Sequence, residues 1–248
     1  MTDALRSRDL SITNNESALW IDAPHRLPRD AAVPKMCAAA LSLEQLSTML
    51  NGQALEDLIP PTLHGAVRKR QVEFIGGRLC AERALEQFTV KMHSVPRGEE
   101  GEPIWPQGIH GSIAHTSWSA YSVIVDSDSN LGIGIDSESI VNEDTRNVIA
   151  EYCCTQTERS RWFHEQHELC ATLIFSAKEA FYKAVYPTVR RFIDFDEVEV
   201  VAWDDQAGEL ILMPVREGRL AKIVQESRIT YRIDNGVHPV LHTTALAA

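Results

Sequence analysis

A predicted helix in the second half of the chain carries an acid and a base that could act together. Residues 175–186 read FSAKEAFYKAVY, and Glu179 and Lys183 lie four positions apart within them. At that spacing in an α-helix, two side chains stack on one face, a single turn from each other. Apolar residues recur beside the pair and predict a buried neighbouring face: Leu173, Ala177, Ala180, Phe181 and Ala184. A surface ion pair worth a few tenths of a kcal/mol is the alternative interpretation.

A second acidic pair, Asp136 and Glu138, ends a segment whose alternation is typical of a β-strand. Leu131, Ile133 and Ile135 fall on one face, and the glycines fall on the other with both acids, so we expect nothing bulky beside the acids. Carboxylates at this spacing lie about 7 Å apart and repel each other unless they share a cation. Mg²⁺ suits them, because it prefers carboxylates and waters and completes its shell with substrate phosphates. Glu179 would supply a third carboxylate, whereas the alternative is a hairpin end with two solvated acids.

The composition restricts the class of protein. The chain has 248 residues, 44% hydrophobic and 24% charged, and a net charge of −11, which disfavours a nucleic-acid-binding protein. We find no apolar run long enough to span a membrane and no secretory signal at the N-terminus, so we predict a cytoplasmic protein without a membrane partner. The five cysteines lack the paired spacing of a metal or disulfide framework and are predicted to be free thiols.

Two basic clusters stand out on this acidic chain. They suit a small polyanion with several phosphates or an acidic partner protein, and two solvated faces are the alternative. The first cluster holds Arg68, Lys69, Arg70, Arg78 and Arg83, and the second holds Lys178, Lys183, Arg190 and Arg191.

Local patterns predict the elements that position these residues. Capping-box spacing predicts helix starts at Ser42 and Thr155. One long helix or two short ones are expected over Thr62–Phe88, with Gly76-Gly77 marking the close approach of a ligand or another backbone. His164 and His167 have the spacing of a metal pair but lack the rest of a zinc motif. Strands are expected over Ala120–Val125, Val198–Trp203, Leu210–Val215, Arg228–Ile233 and Val237–Leu246, the last two joined by a turn at Asn235-Gly236.

Three segments together resemble the signature motifs of the 4′-phosphopantetheinyl transferases. They are GSIAHT at 111–116, GIGIDSE at 132–138 and FSAKEAFYK at 175–183. The resemblance is to the larger, monomeric type found with enterobactin, surfactin and mycobacterial synthases. The segments 69–85 and 102–106 also resemble that group, so the match runs from about residue 60 to 195.

The resemblance implies a role for each matching residue. Asp136, Glu138 and Glu179 would bind Mg²⁺, with Mn²⁺ as a second possibility, and Glu179 would also activate the nucleophile. Lys183 would contact a coenzyme A phosphate, and His115, which we count with Glu179 and Lys183 as catalytic, would contact the 3′-phosphoadenosine end. Further coenzyme A-binding residues implied in this way are Arg70, Arg78, Ser112 and Lys178.

The chain departs from the family pattern at three positions. Ala114 and Ala180 stand where relatives commonly have serine, and these changes should remove contacts without removing chemistry. Glu100 stands where relatives often have a basic residue, which puts one phosphate contact in doubt. Arg97 is the residue that could replace it.

We therefore predict an α+β protein of two similar halves, 1–126 and 131–248, and the resemblance implies that these halves form a pseudo-dimer. Each half would be a small, mainly antiparallel sheet packed on a long helix, with the cofactor cleft between the halves. The implied reaction transfers 4′-phosphopantetheine from coenzyme A to a serine of an apo carrier protein and releases 3′,5′-ADP. A metal-dependent phosphodiesterase or nuclease and a non-catalytic carrier-binding module are the alternatives. A monomer that binds no nucleic acid is expected.

Overall fold

The computed structural model describes residues 19–27, 35–50, 52–88, 94–126, 132–163, 167–235 and 239–247. They belong to two compact units, the first within Met1–Ala23 and Lys35–Val125 and the second within Pro24–Pro34 and Asp126–Ala248. The second unit therefore includes a segment, beginning at Pro24, that precedes most of the first unit in the sequence. Among the helices of these ranges, none has both the length and the hydropathy that crossing a membrane requires.

The first unit is a four-stranded sheet with one long helix against it. Its strands lie in the order β1-β2-β4-β3, where β1 is Trp20–Ile21, β2 is Met36–Ser42, β3 is Ile109–His115 and β4 is Ser119–Asp126. The helices are α1 (Leu43–Met49), α2 (Gly52–Leu58) and α3 (Arg68–Gln87), and a short 3₁₀ turn, Pro61–Leu63, precedes α3. Helix α3 packs on β2 and β3.

The glycine pair inside α3 has a packing role. A Cβ atom at Gly76 would lie 2.5 Å from Leu43 Cδ2, and one at Gly77 would lie 2.7 Å from Ile113 Cγ2. The glycines therefore let apolar side chains approach the helix closely, where the sequence suggested a ligand or another backbone.

The second unit is a five-stranded antiparallel sheet in the order β5-β9-β8-β7-β6. Its strands are β5 (Gly132–Ser139), β6 (Val198–Asp204), β7 (Glu209–Pro214), β8 (Ser227–Asp234) and β9 (Val240–Ala247). Its helices are α4 (Glu143–Tyr152), α5 (Gln156–Trp162), α6 (His167–Val189) and α7 (Arg219–Ile223), and a 3₁₀ turn covers Phe195–Glu197. Helix α6 packs on β5 and β9 and supplies the centre of the core.

Most of the predicted elements are present. The five predicted apolar positions of α6 are at most 1% exposed. Both predicted helix starts are confirmed, because Ser42 accepts a hydrogen bond from Gln45 N and Thr155 forms a full capping box with Glu158. The segment GSIAH forms a strand, β3, where the sequence suggested only a lead into the next strand. Leu131, His164, the side chain of His167 and the turn at Gly236 lie outside the described residues.

Candidate active site

Two glycines bring helix α6 against the strand that carries the acidic pair. A Cβ atom at Gly132 would lie 1.9 Å from Ala184 O, and one at Gly134 would lie 1.9 Å from Ala180 O. Only glycine permits this approach, because the obstructing atoms belong to the helix backbone. The glycine face is therefore covered by α6, contrary to the expectation of open space. This packing places Glu179 and Lys183 beside the acids of β5.

Asp136 is the anchored member of the cluster. Its side chain is 7% exposed, and its Oδ1 accepts a hydrogen bond from Lys183 Nζ at 2.7 Å. Its Oδ2 accepts a second bond from Ser176 Oγ at 2.8 Å. Thr243, opposite Asp136 across the β5–β9 ladder, donates to the Ser176 carbonyl at 3.1 Å, and the two hydroxyl oxygens lie 2.9 Å apart. Both carboxylate oxygens are thus fixed by donors from α6.

The surroundings of Glu138 and Glu179 disfavour the charged form of each carboxyl. Burial, and then the charges of Asp136 and Glu179, raise the pKa of Glu138 to about 7, and Lys183 lowers it only in part. Burial also raises the pKa of Glu179, where Lys183 opposes and Asp136 adds to the effect. For Lys183, burial acts to lower the pKa, but the charge and hydrogen bond of Asp136 prevail and raise it. Three carboxylates therefore face a single ammonium group.

The chemistry of this donor set suits a hard divalent cation. Carboxylate oxygens are the ligands that Mg²⁺ takes in proteins, and a cation would relieve the charge repulsion that adds to burial in raising the pKa of Glu138. Within the described ranges, however, no three histidine, cysteine, aspartate or glutamate side chains stand in a ready metal-binding arrangement. Binding would require one carboxylate or more to turn toward the ion.

A second polar cluster lies in the first unit, where α3 faces the end of β3. Arg70 Nη1 donates to His115 Nε2 at 3.0 Å and lies 3.5 Å from Glu73 Oε2. Because a guanidinium only donates, His115 accepts through Nε2 in this arrangement. Lys69 Nζ lies 3.9 Å from Glu73 Oε1 and donates to Ser117 Oγ at 3.0 Å. Two cations and an imidazole are thus gathered around one carboxylate.

The other two residues predicted in this unit are buried. Arg78 is 5% exposed and its guanidinium lies 5.0 Å from the centre of the Phe74 ring. Burial and then the charge of Arg97 lower the pKa of Arg78 to about 10, which Glu82 partly offsets. Ser112 is 3% exposed on β3, and its carbonyl accepts a bond from Ser122 Oγ at 3.1 Å.

Comparison with known proteins identifies the family. A family profile described as the 4′-phosphopantetheinyl transferase N-terminal domain matches residues 59–125. A second profile, described as the 4′-phosphopantetheinyl transferase superfamily, matches residues 132–235 and so contains all three acids and Lys183. The chain belongs to the 4′-phosphopantetheinyl transferase superfamily. The predicted family is therefore confirmed.

The sequence of this chain is similar to those of several named transferases and synthase components. The 4′-phosphopantetheinyl transferase PptT of Mycobacterium tuberculosis is 31% identical over 150 residues, which cover 60% of this chain and 65% of that protein. Enterobactin synthase component D of Escherichia coli K12 is 34% identical over 148 residues, covering 58% and 68% of the two chains. Among solved structures, the holo-ACP-synthase from Plasmodium yoelii is 17% identical and superposes with a TM-score of 0.31. The match covers 47% of this chain and 92% of the synthase chain.

Lys178, which the family resemblance implied as a coenzyme A contact, has a structural position. Its side chain is 1% exposed, and Nζ donates to Glu158 Oε2 at 2.7 Å, to Phe195 O at 2.8 Å and to Cys153 O at 3.0 Å. An ammonium group has three hydrogens, and these acceptors use all of them. The structure therefore does not place Lys178 with Lys183, and we leave it out of the proposed site.

Two residues at the acid cluster were missed in the sequence. Ser176 lies inside the FSAKEAFYK motif, one turn before Ala180, but a serine in a helix gives no sign of its partner. Thr243 approaches from the last strand, 67 residues away. A search for polar residues at the buried positions of α6 would have found Ser176, whereas Thr243 required the strand register.

Proposed function

We propose that the chain transfers the 4′-phosphopantetheine group of coenzyme A to a serine hydroxyl of an apo carrier protein. One observation supports this most directly: α6 packs on the glycines of β5 and places Lys183 Nζ 2.7 Å from Asp136 Oδ1, with Glu138 and Glu179 in the same electrostatic cluster. In the reaction, the serine oxygen forms a bond to the phosphorus that bears the pantetheine. The bond from that phosphorus to the bridging oxygen breaks, and 3′,5′-ADP leaves.

Glu179 is the proposed proton acceptor. A carboxylate within hydrogen-bond reach of the serine hydroxyl can take its proton in the transition state, and Glu179 lies one helical turn from Lys183, which contacts Asp136. Lys183 would neutralise charge on the phosphate oxygens as the bridging bond breaks, because phosphoryl transfer is catalysed mainly by positioning and charge stabilisation. Ser176 and Lys183 hold the Asp136 carboxylate in one orientation meanwhile.

Asp136, Glu138 and Glu179 are the residues that would hold Mg²⁺. When bound, the ion supplies charge neutralisation for the pyrophosphate of coenzyme A. Mn²⁺ offers the same preference for oxygen ligands and is the proposed second choice.

The basic cluster of the first unit is the proposed site for the remaining phosphates of coenzyme A. Arg70 and His115 already form a hydrogen-bonded pair, and Arg70 is more than half exposed, so its guanidinium is accessible to an anion. The positive charges of Arg78 and Arg97 repel each other, and an anionic phosphate would relieve this repulsion. Arg97 is thereby a candidate to replace the basic residue that Glu100 displaces. Ser112 remains a proposed contact to coenzyme A. The pseudo-dimer, its cofactor cleft, the monomeric state and the cytoplasmic location also remain proposals.

The decisive test is incubation with an apo carrier protein, coenzyme A and MgCl₂, followed by mass spectrometry of the carrier. We expect the carrier to gain one phosphopantetheine and 3′,5′-ADP to accumulate in equal amount. The matched controls are the same carrier with its acceptor serine changed to alanine, and a reaction with EDTA. Cleavage of coenzyme A without carrier modification would refute the transferase and support a phosphodiesterase, and carrier binding without either product would support a non-catalytic binding module.

A further inference from the structure

A third polar cluster lies on the face of β5 opposite to the acids. Ser137 points away from α6 and pairs across the sheet with His242 of β9. Its Oγ lies 3.0 Å from His242 Nδ1 and 3.2 Å from His25 Nε2. His25 lies in the segment between β1 and β2 that belongs to the second unit. These three side chains are 1–4% exposed, and the imidazole rings meet edge to face with centroids 5.4 Å apart. The cluster is therefore buried and closely packed.

The hydrogens in this cluster can be assigned from the acceptors. His25 Nε2 lies 3.3 Å from the carbonyl oxygen of Asp136. A carbonyl oxygen only accepts, so His25 must carry its proton on Nε2 and donate it to Asp136 O and Ser137 Oγ. The Ser137 hydroxyl is then left to donate to His242 Nδ1. Of the three side chains in this cluster, His25 is the one that contacts the backbone of Asp136.

Asp136 is consequently held from two sides. Ser176 and Lys183 bind its carboxylate from α6, and His25 binds its carbonyl from the opposite face of the sheet. We propose that His25 and Ser137 are positioning residues that fix the peptide between Asp136 and Ser137 and thereby aim the acid pair. This inference rests on the proposed function, since the aimed carboxylates are the proposed ligands of the divalent ion.

The surroundings of His25 make the inference testable by chemical rescue. His25 and His242 line a cavity of about 590 Å³ together with Arg26, Thr230 and Arg232. Removing the His25 side chain would extend this cavity to the carbonyl of Asp136. Added imidazole could then enter and supply the missing N–H group at the same place.

The experiment compares the wild-type chain of 248 residues with His25→Ala, Ser137→Ala and, as matched control, Arg232→Ala, which changes the same cavity without touching β5. For each protein, the Mn²⁺ dissociation constant is measured by electron paramagnetic resonance and transfer to an apo carrier is measured with and without imidazole. Outer-shell substitutions typically cost about 10–100-fold in metal affinity or activity, and we expect this loss in both His25→Ala and Ser137→Ala. Imidazole should restore His25→Ala but not Ser137→Ala, and the control should resemble the wild type.

The outcomes separate this inference from the proposed function. Wild-type Mn²⁺ affinity in both variants, or loss that imidazole does not restore in a folded His25→Ala, would overturn the positioning role, as would a wild type that binds no Mn²⁺. A wild type that binds Mn²⁺ but modifies no carrier would refute the transferase, and the Mn²⁺ comparison would still decide the positioning role. Circular dichroism checks folding, and if His25→Ala fails to fold, Ser137→Ala decides.

Discussion

Replacing Gly134 by alanine is expected to separate the strand that bears the acids from the helix that bears Glu179 and Lys183. The added Cβ would lie 1.9 Å from Ala180 O and 2.6 Å from Ala184 N. Carbon–oxygen contacts between packed backbones normally begin at about 3.3 Å, so strand and helix must move apart by roughly 1.4 Å. A misplacement of about 1 Å can cost about 100-fold in rate, and overpacking costs about 1–3 kcal/mol of unfolding free energy or more.

Two assays check this prediction together. Urea unfolding should show Gly134→Ala less stable than the wild type by the amount above, and the transfer assay should show kcat lower by about 100-fold in the folded protein. Gly218→Ala is the matched control in the same unit, because nothing lies within 4 Å of the position of its added Cβ. Wild-type kcat and stability in Gly134→Ala would show that close packing of β5 on α6 is not needed at the site.

Three further predictions concern ionisable groups. Glu179→Gln should lower kcat by about 10²–10⁴-fold with a melting temperature no lower than that of the wild type, because burial and Asp136 disfavour the charge that is removed, and unchanged transfer would remove Glu179 from its role as proton acceptor. Lys178→Met should cost about 3–5 kcal/mol in urea unfolding, because it leaves the buried Glu158 carboxylate without its counter-charge, whereas kcat per folded molecule should stay constant; a large drop in kcat would return Lys178 to the site. Burial raises the pKa of Glu82 from 4.5 to about 7, and neither carboxylate oxygen has a hydrogen-bond partner among the described residues. The folded state therefore binds more protons, so unfolding free energy should fall as pH rises from about 4.5 to 7 and less steeply in Glu82→Gln; parallel curves would contradict this.

The elements at the site were predictable where the signal is local. The apolar spacing of residues 173–184 predicts the buried face of α6, and the alternation before Asp136 predicts β5, because both depend on short-range periodicity. The capping box at Thr155 predicts the start of α5 for the same reason. Local periodicity does not reveal which element covers a face, and the glycine face of β5 was expected to be open although α6 lies against it.

The contacts that fix the acids were not predictable, because they join residues far apart in sequence. Thr243 and His25 reach β5 only through the sheet order and through the placement of residues 24–27 with the second unit. Lys178 and Lys183 belong to one basic cluster of the sequence, yet they contact different partners. At about 3.6 residues per turn, positions five apart in a helix lie on different faces. Composition cannot separate a buried structural lysine from one beside an acid cluster.

The most direct test of the account is a crystal structure of the full chain grown with coenzyme A and Mn²⁺. We predict one anomalous peak bound by carboxylate oxygens of Asp136, Glu138 and Glu179, with the pyrophosphate of coenzyme A on the same ion and within reach of Lys183. A peak at another place, or coenzyme A bound with its pyrophosphate far from these three acids, would contradict the central claim.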